Sequence, residues 1–429
     1  MKASAKTEDI FSEVLKRIKP SHEELGEISK SLNEFLARLE HNKKKFKIDA
    51  QIFVGGSFAK KTLIKKEDYD IDIFIRFSKK YPDKNLSNLT GKILRGFKAE
   101  RIHGSRDYFK VRPQGNKKVF FEIVPVRKVS GPKDAVNITD LSYYHVRYVR
   151  KKINREKTLD DIMLAKAFCN ACKCYGAESY IHGFSGYGLE LLVYNYKSFM
   201  NFVRAMARAK EGKIVIDLEK YHKNKSHILM DLNSAKLEAP IVLIDPTHKT
   251  RNVLAALSEK TFRKFQKHCK DFLKNPSIRF FEIQKADIKD WKREAKKKRS
   301  EFFEFSSRTG RQSGDIAGSK LLKFYGLLKR EIERFFEIKR AEFEYPGHGT
   351  SAKYLFIAKP KKEILVSGPK TNNSKHAKRF RMKHKKVSVK KGRLYAKIKT
   401  EKNLKKFLTG WKKKNGKVMK DMGITYLGE

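Results

Sequence analysis

The sequence predicts a multidomain α+β protein, and three observations carry that expectation. The chain has 429 residues, enough for two to four domains with substantial cores. Hydrophobic residues make up 40% of it, a globular rather than a disordered share. The apolar pattern also changes along the chain. Alternating short runs mix with helical periods over 1–138, helical periods dominate 139–262, and the mixture returns over 263–429. Three domains with these bounds are expected.

"EDIFSEVLKRI" spaces its apolar residues for a helix, which Pro20 ends. Ser21 and Glu24 then form a capping box for a second helix through "GEISKSLNEFLARLE". "DAQIFV" reads as a strand, Gly55-Gly56-Ser57 as the turn after it, and "FAKKTL" as the start of a short helix. "DYDIDIFIRF" is a second strand. A helix over "NLTGKILRGF", a strand over "DYFKVRP", a turn at "QGNKK" and a strand over "VFFEIVPVRKV" complete this region. The middle region reads as helices over "LSYYHVRYVRKKI", "TLDDIMLAKAFCNACKCYG" and "SGYGLELLVYNYKSFMNFVRAMARA". "APIVLIDPTHKTRNVLAALS" adds a short strand, a loop and a helix start. In the last region a long helix over "SGDIAGSKLLKFYGLLKREIERFFEI" precedes "RAEFEYP" and "AKYLFIA", expected as paired strands. Residues 360–420 are very basic, and the alternation of Val387 and Val389 suggests strands under a charged face. No repeat of fixed period is present.

Lys plus Arg number 99 against 48 Asp plus Glu, a net charge of +51. A field of that sign attracts polyanions, of which nucleic acid is the commonest, although proteome-wide lysine enrichment produces the same total. Cys169, Cys172, Cys174 and Cys269 are too few for a disulfide scaffold. "CNACKC" has C-x-x-C spacing, but no second Cys/His pair stands at zinc-site distance, so reduced thiols in a cytosolic protein are expected. "MKASAKTEDIF" lacks the apolar core of a signal peptide and no long apolar run follows, which points to the cytoplasm.

The chemistry concentrates in "GGSFAKKTLIKKEDYDIDIFI" (55–75). Side chains alternate across a strand, so Asp70 and Asp72 share one face while Tyr69, Ile71, Ile73 and Ile75 share the other, which looks like core. Two such carboxylates repel, and a divalent cation is the economical way to offset them. Oxygen ligands suit Mg²⁺, which keeps waters and shares phosphate oxygens. Two-metal chemistry needs carboxylates that span ions about 3.5–4 Å apart. Glu122, a lone acid in the apolar strand "FFEIVPV", is the candidate third ligand. Gly55 and Gly56 let backbone approach phosphates, Ser57 adds a hydroxyl, and Lys60 and Lys61 supply neutralising charge. Alone, G-G-S is also an ordinary turn and D-x-D also a solvated strand end. Together, at this spacing and with a later strand acid, they are far more specific.

This combination resembles the signature of the polymerase-β-type nucleotidyltransferases. "HGFSGYGLELLVYNYKSF", "LIDPTHKTRNVLAALS", "FCNACKCYGAES" and "DFLKNPSIRFFE" resemble the matching segments of archaeal, class I tRNA CCA-adding enzymes, and so does the region from "TDLSYYHVRYV" to "LAK". The resemblance runs from about residue 8 to 285 and continues more loosely toward the C-terminus. It implies a polymerase-β-like nucleotidyltransferase head over 1–138, a helical nucleotide-selecting neck over 139–262, and a mixed α/β tRNA-binding body and tail over 263–429. It implies template-independent addition of C, C and A to tRNA 3′ ends from CTP and ATP, with two Mg²⁺ ions (Mn²⁺ as substitute), and a homodimer.

The resemblance also implies residue roles. Asp70, Asp72 and Glu122 match the catalytic metal carboxylates. Gly56, Ser57 and Lys60 match positions at the triphosphate. His145, Lys166, Tyr175, Ser185 and Tyr187 match neck positions at the nucleotide, and Arg251 matches the arginine that reads the incoming base with the tRNA backbone. This chain departs from the common pattern in carrying Asp70-x-Asp72 with Glu122 rather than Glu-x-Asp with Asp, and in its lysine load. Each site has a plainer reading: His145 as a surface residue, Tyr175 and Tyr187 as core aromatics, Arg251 as a partner of Asp245. Two other functions fit the same residues: a related A-adding enzyme or poly(A) polymerase, and an RNA-binding protein with an inactive head.

Overall fold

The computed structural model describes residues 2–429 except 105, 114, 117, 211, 284–286, 311, 362, 385 and 400–402. Gln114 and Lys117 of the expected turn at "QGNKK" thus lie outside the described residues. The chain divides into two compact units, 1–284 and 285–429. Among the described residues no helix is long and apolar enough to cross a membrane.

The first unit begins with α1 (Lys2–Ile18) and α2 (His22–Lys45). The Ser21 hydroxyl accepts from the Glu24 N–H, and the Glu24 carboxylate accepts from the Ser21 N–H, so the expected capping box is complete. β1 (Ala50–Val54), α3 (Gly56–Ala59), β2 (Tyr69–Phe77), α4 (Leu86–Ile93), β3 (Ala99–Ile102), β4 (Tyr108–Val111) and β5 (Val119–Arg127) follow. The strands form one sheet in the order β1-β2-β5-β4-β3, in which only β2 and β5 run parallel. Tyr69, Ile71, Ile73 and Ile75 of β2 join Phe121 and Ile123 of β5 in a core closed by Ile28, Leu32, Phe35 and Leu39 of α2. Phe35 stacks on Phe121 with ring centroids 4.5 Å apart. That burial fixes the register, because a shift of one residue would drive the strand acids into the core.

The rest of the unit comprises α5 (Ser142–Lys152), α6 (Glu156–Ala171), α7 (Gly186–Tyr196), α8 (Phe199–Arg208), β6 (Ile214–Ile216), α9 (Lys225–Asp231), α10 (Ser234–Leu237), β7 (Ile241–Asp245), β8 (His248–Asn252) and α11 (Glu259–Lys274). Their core is aromatic, with Phe168, Phe184, Phe199, Phe202, Phe265, Phe272 and Phe281 in one cluster. The boundary expected at 263 falls inside α11. Phe262, Phe265, Cys269 and Phe272 lie on one face of that helix and are all buried in this cluster, so the division moves to 284/285. The helix α1 also packs here, through Val14 and Phe11, rather than on the sheet with which the sequence groups it. All four cysteines are buried free thiols within this same core, as expected for reduced thiols.

The second unit contains α12 (Ile288–Lys297), β9 (Glu301–Thr309), α13 (Gly314–Phe335), β10 (Phe336–Glu344), β11 (Ser351–Pro360), β12 (Glu363–Lys370), α14 (Ser374–Lys383), β13 (Val387–Lys390), β14 (Arg393–Lys399), α15 (Leu404–Lys414), α16 (Gly416–Asp421) and β15 (Ile424–Gly428). An antiparallel sheet β10-β11-β9-β15 packs on Leu321, Phe324, Leu328 and Ile332 of α13. The expected helix over 313–338 ends earlier, at Phe335, where Phe336 and Ile338 enter β10. β10 and β11 pair as expected. The basic stretch is no appendage: Leu404, Leu408, Trp411 and Met419 share the α13 core, and β15 pairs with β9. Val387 and Val389 lie on β13, in a small sheet ordered β12-β14-β13.

Candidate active site

Asp72 and Glu122 are direct partners across the parallel β2–β5 pair, and Asp70 stands two residues earlier on the Asp72 face. Three carboxylates are therefore presented on the side of the sheet away from the α2 core. Lysines offset the outer two. Lys66 Nζ lies 2.7 Å from Asp70 Oδ1, and Lys110 Nζ lies 2.9 Å from Glu122 Oε1, across the β4–β5 register. Burial, together with the charges of Glu122 and Asp70, pushes the Asp72 carboxyl up to about 7. Among the described residues no three His, Cys, Asp or Glu side chains are gathered tightly enough to enclose a metal ion.

The G-G-S turn rests on this face. The Gly55 N–H donates to the Asp72 carbonyl at 2.9 Å. Gly56 has φ +59, and a Cβ there would lie 1.7 Å from Asp72 Oδ2. A Cβ on Gly55 would lie 2.3 Å from the Phe74 ring. Both glycines are thus required by close approach, Gly56 also by its left-handed backbone. Ser57 follows in the one-turn α3, and its carbonyl accepts from the Thr62 N–H.

Lys60 does not project freely. Its ammonium pairs with Glu190 Oε2 at 2.7 Å and lies 5.9 Å from the centre of the Tyr187 ring. Glu190 is fully buried on α7, and its other oxygen accepts from Thr62 Oγ1 (3.2 Å) and Lys166 Nζ (3.3 Å). Lys166, on α6, also donates to the Thr62 hydroxyl (2.7 Å) and carbonyl (3.1 Å). Burial pulls its ammonium down to about 8.

A second network centres on Asp245 at the end of β7. One carboxylate oxygen takes His145 Nε2 (2.9 Å) and Arg251 NH1 (2.6 Å). The other accepts from the Tyr187 hydroxyl (3.3 Å) and from the backbone and side chain of Thr247 (2.8 Å each). These donors, His145 first among them, hold the Asp245 carboxyl well below the usual range despite burial. His145 stacks on Tyr187, with centroids 4.1 Å apart. Arg251 thus takes the Asp245 pairing named as its plainer reading, and the His145 ring is buried rather than at the surface.

Tyr175 and Ser185 underlie α7. Ser185 caps the helix, accepting from the Gly188 N–H at 3.0 Å, and the Tyr175 hydroxyl is 2.9 Å from where a Cβ on Gly186 would stand. Sequence reasoning did not single out Glu190 or Thr62, and gave Asp245 only as a partner for Arg251. The available signal for Glu190 was a lone acid inside the apolar run "LELLV".

Residues 160–282 match the family model for the second domain of tRNA nucleotidyltransferases. Residues 5–143 match that of the Second Messenger Oligonucleotide or Dinucleotide Synthetase domain. The chain is 36% identical over 271 residues to the CCA-adding enzyme of Nanoarchaeum equitans, covering 63% of this chain and 65% of that protein. It is 32% identical over 283 residues to that of Methanocaldococcus jannaschii, covering 64% and 61%. The chain therefore spans less than two thirds of the length of these relatives. A mutant Cid1 poly(U) polymerase bound to MgATP superimposes with a TM-score of 0.51 at 14% identity, covering 64% of this chain and 98% of that one. That likeness is one of fold. The chain is thus mixed α+β, as expected from its sequence, and shares the fold of that polymerase over 64% of its length.

Proposed function

We propose that this protein adds C, C and A to the 3′ end of tRNA from CTP and ATP, without a template and with release of pyrophosphate. The observation that carries the reading is the parallel register that sets Asp72 beside Glu122, with Asp70 two residues away and the G-G-S turn against them. The similarity to archaeal CCA-adding enzymes supports the same reading.

Asp70, Asp72 and Glu122 would hold two divalent ions, Mg²⁺ or in its place Mn²⁺. The donor set fits, since all are hard carboxylate oxygens, and burial beside Glu122 and Asp70 keeps the central one, Asp72, raised to about 7 even with lysines paired to those neighbours. Such ions, when bound, favour the ionised form of an attacking hydroxyl and neutralise phosphate charge. The chain's own residues do the placing. The backbone at Gly56 and the Ser57 hydroxyl face the triphosphate, and Lys60 lends it positive charge. The His145–Tyr187 stack supplies a flat aromatic wall for the nucleotide. A guanidinium has five N–H donors, so Arg251, pinned to Asp245 through one nitrogen, keeps others for a base edge. Lys166, Tyr175 and Ser185 shape the floor beneath rather than touching the nucleotide directly. The basic second unit serves as the tRNA-binding body and tail, and the active form is a cytoplasmic homodimer.

The decisive experiment incubates the protein with tRNA transcripts ending before CCA, before CA and before A, with each NTP alone and in combination, with and without Mg²⁺. Metal-dependent completion by CTP and ATP, with UTP and GTP poor, is expected. Efficient poly(U) addition overturns the reading. Untargeted A addition to any RNA makes the protein a tailing enzyme, and no transfer at all makes it an RNA-binding protein with an inactive head.

A further inference from the structure

Glu190 stands apart from every role assigned so far. It is a fully buried carboxylate in an apolar stretch of α7, and it joins three parts of the first unit. One oxygen holds Lys60, just beyond the G-G-S turn. The other holds Thr62, two residues further on, and Lys166 from α6. Two lysines share this one acid, so the cluster retains positive charge. A buried ion pair is a poor device for stability alone, because well-packed apolar residues of the same volume do as well or better. The two lysines also differ. The Lys166 side chain is 3% exposed, whereas that of Lys60 is 10% exposed, and Lys60 directly follows α3, whose Gly56 abuts Asp72. Lys60 therefore lies at the edge of the cluster and faces the carboxylate site, while Lys166 and Thr62 brace the acid from behind.

We propose that Glu190 is a positioning residue for the nucleotide triphosphate: it holds the Lys60 ammonium at the edge of the carboxylate face, ordered before the nucleotide arrives. An unrestrained lysine has several rotatable bonds to freeze on binding, and prior ordering removes that cost. The contact is not exclusive, since an ammonium carries three donors and Glu190 Oε2 takes one of them. This inference rests on the nucleotidyl-transfer reading for its substrate and not for its geometry.

The test compares the parent with Glu190→Gln, Glu190→Asp, Lys60→Met and the double variant Glu190→Gln/Lys60→Met. Single-turnover CMP addition to a tRNA lacking CCA is followed across CTP concentration. Glu190→Gln should raise the apparent KM for CTP about tenfold, the size of one charge-assisted contact, while the maximal rate changes less than about threefold. Lys60→Met should do the same, and the double variant should be no worse than Lys60→Met. Glu190→Asp should recover part of the loss. Additive effects, or a fall in rate with KM unmoved, overturn the proposal. Should Glu190→Gln fail to fold, Lys60→Met decides alone, since an unchanged KM there refutes it. Calorimetric binding of inorganic tripolyphosphate separates this inference from the function. If the parent transfers no nucleotide yet binds tripolyphosphate about tenfold more tightly than Glu190→Gln, the function fails and the positioning stands. Equal binding by both defeats the positioning.

Discussion

Replacing Gly56 by Ala tests whether the G-G-S turn sits against the carboxylates in the working protein. Gly56 has φ +59, a conformation that costs an L-residue about 1–2 kcal/mol. The new Cβ would stand 1.7 Å from Asp72 Oδ2. Ordinary contact is about 3.5 Å, so the carboxylate or the turn must retreat by roughly 1.5–2 Å. An off-rotamer Asp72 adds about 0.5–1.5 kcal/mol. The smaller conformational freedom of Ala in the unfolded chain returns about 0.4–1 kcal/mol. The net expectation is a loss of about 1–3 kcal/mol of stability, with the rate reduced at least about 100-fold because a 1 Å misplacement at a reacting centre has that effect. Urea unfolding and single-turnover CMP addition measure the two. Gly96→Ala is the control, because Gly96 has φ +86 with nothing within 4 Å of its Cβ position. It should show the backbone cost and the parent rate. A Gly56→Ala protein that reacts like the parent would refute the contact between turn and carboxylate.

Three further outcomes are expected. The Asp72 carboxyl is pushed up to about 7 from 3.8, so the metal-free folded state binds its proton more tightly than the unfolded chain. This group's contribution to stability is therefore full below pH 3.8 and declines as the pH rises toward 7. Asp72→Asn should remove that slope in EDTA melts while abolishing transfer. Arg251→Ala should blur discrimination between CTP and UTP more than it slows addition of CMP. Unchanged selectivity with weaker binding makes Arg251 a structural partner of Asp245. On α14, Lys378, Arg379 and Lys383 are exposed, and Ala at all three should flatten the log–log salt dependence of tRNA binding by about 2–3, at roughly 0.7–0.9 per lost phosphate contact, and leave the KM for CTP unchanged. An unaltered slope means that this face of α14 only meets solvent. Deleting everything after 360 is the wrong form of that experiment, because it removes Leu404, Leu408 and Trp411 from the α13 core.

What the sequence made legible follows from the range of each signal. The period-2 pattern of "YDIDIFI" identified both the core face and the acid face of β2, because alternation is a property of the strand itself. The capping box at Ser21 was legible for the same local reason. The pairing of Glu122 with Asp72 required the β2–β5 register, which the chain sets through long-range burial, so the sequence marked Glu122 only as a lone acid in an apolar strand and left its partner open. Glu190 was marked only by its place as a lone acid in an apolar run, and its pairing was not legible. Its partners Lys60 and Lys166 lie 130 and 24 residues away, and nothing local marks a helix acid as paired. The sequence points to a boundary at 263 because α11 is polar enough to look like the start of a basic domain, while its apolar face is buried in the Phe168 cluster of the first unit. In the same way the lysines of 360–420 concealed the apolar residues that anchor the chain's end.

The ion pairs of the site fall into two classes by burial, and the difference has consequences. Lys66 with Asp70 (40% and 38% exposed side chains) and Lys110 with Glu122 (33% and 24%) lie at the open side of the carboxylate face. Screened by water, such pairs contribute about 0–1 kcal/mol each, so they are easily exchanged for other partners. The pairs of Glu190 with Lys60 and Lys166 are nearly dry, and breaking one by removing a partner leaves a buried charge, at about 3–5 kcal/mol. The Asp245 network is of this second kind, with a fully buried carboxylate and every donor close by. The lysines nearest the carboxylates are thus the ones the fold holds least firmly, while the acids beneath the site are held by contacts too costly to exchange. Such a division suits a site in which carboxylates must accept new cations while the scaffold below stays fixed. It also explains how a chain with a net charge of +51 keeps three acids together: the surplus lysines neutralise them at the surface without being built into the fold.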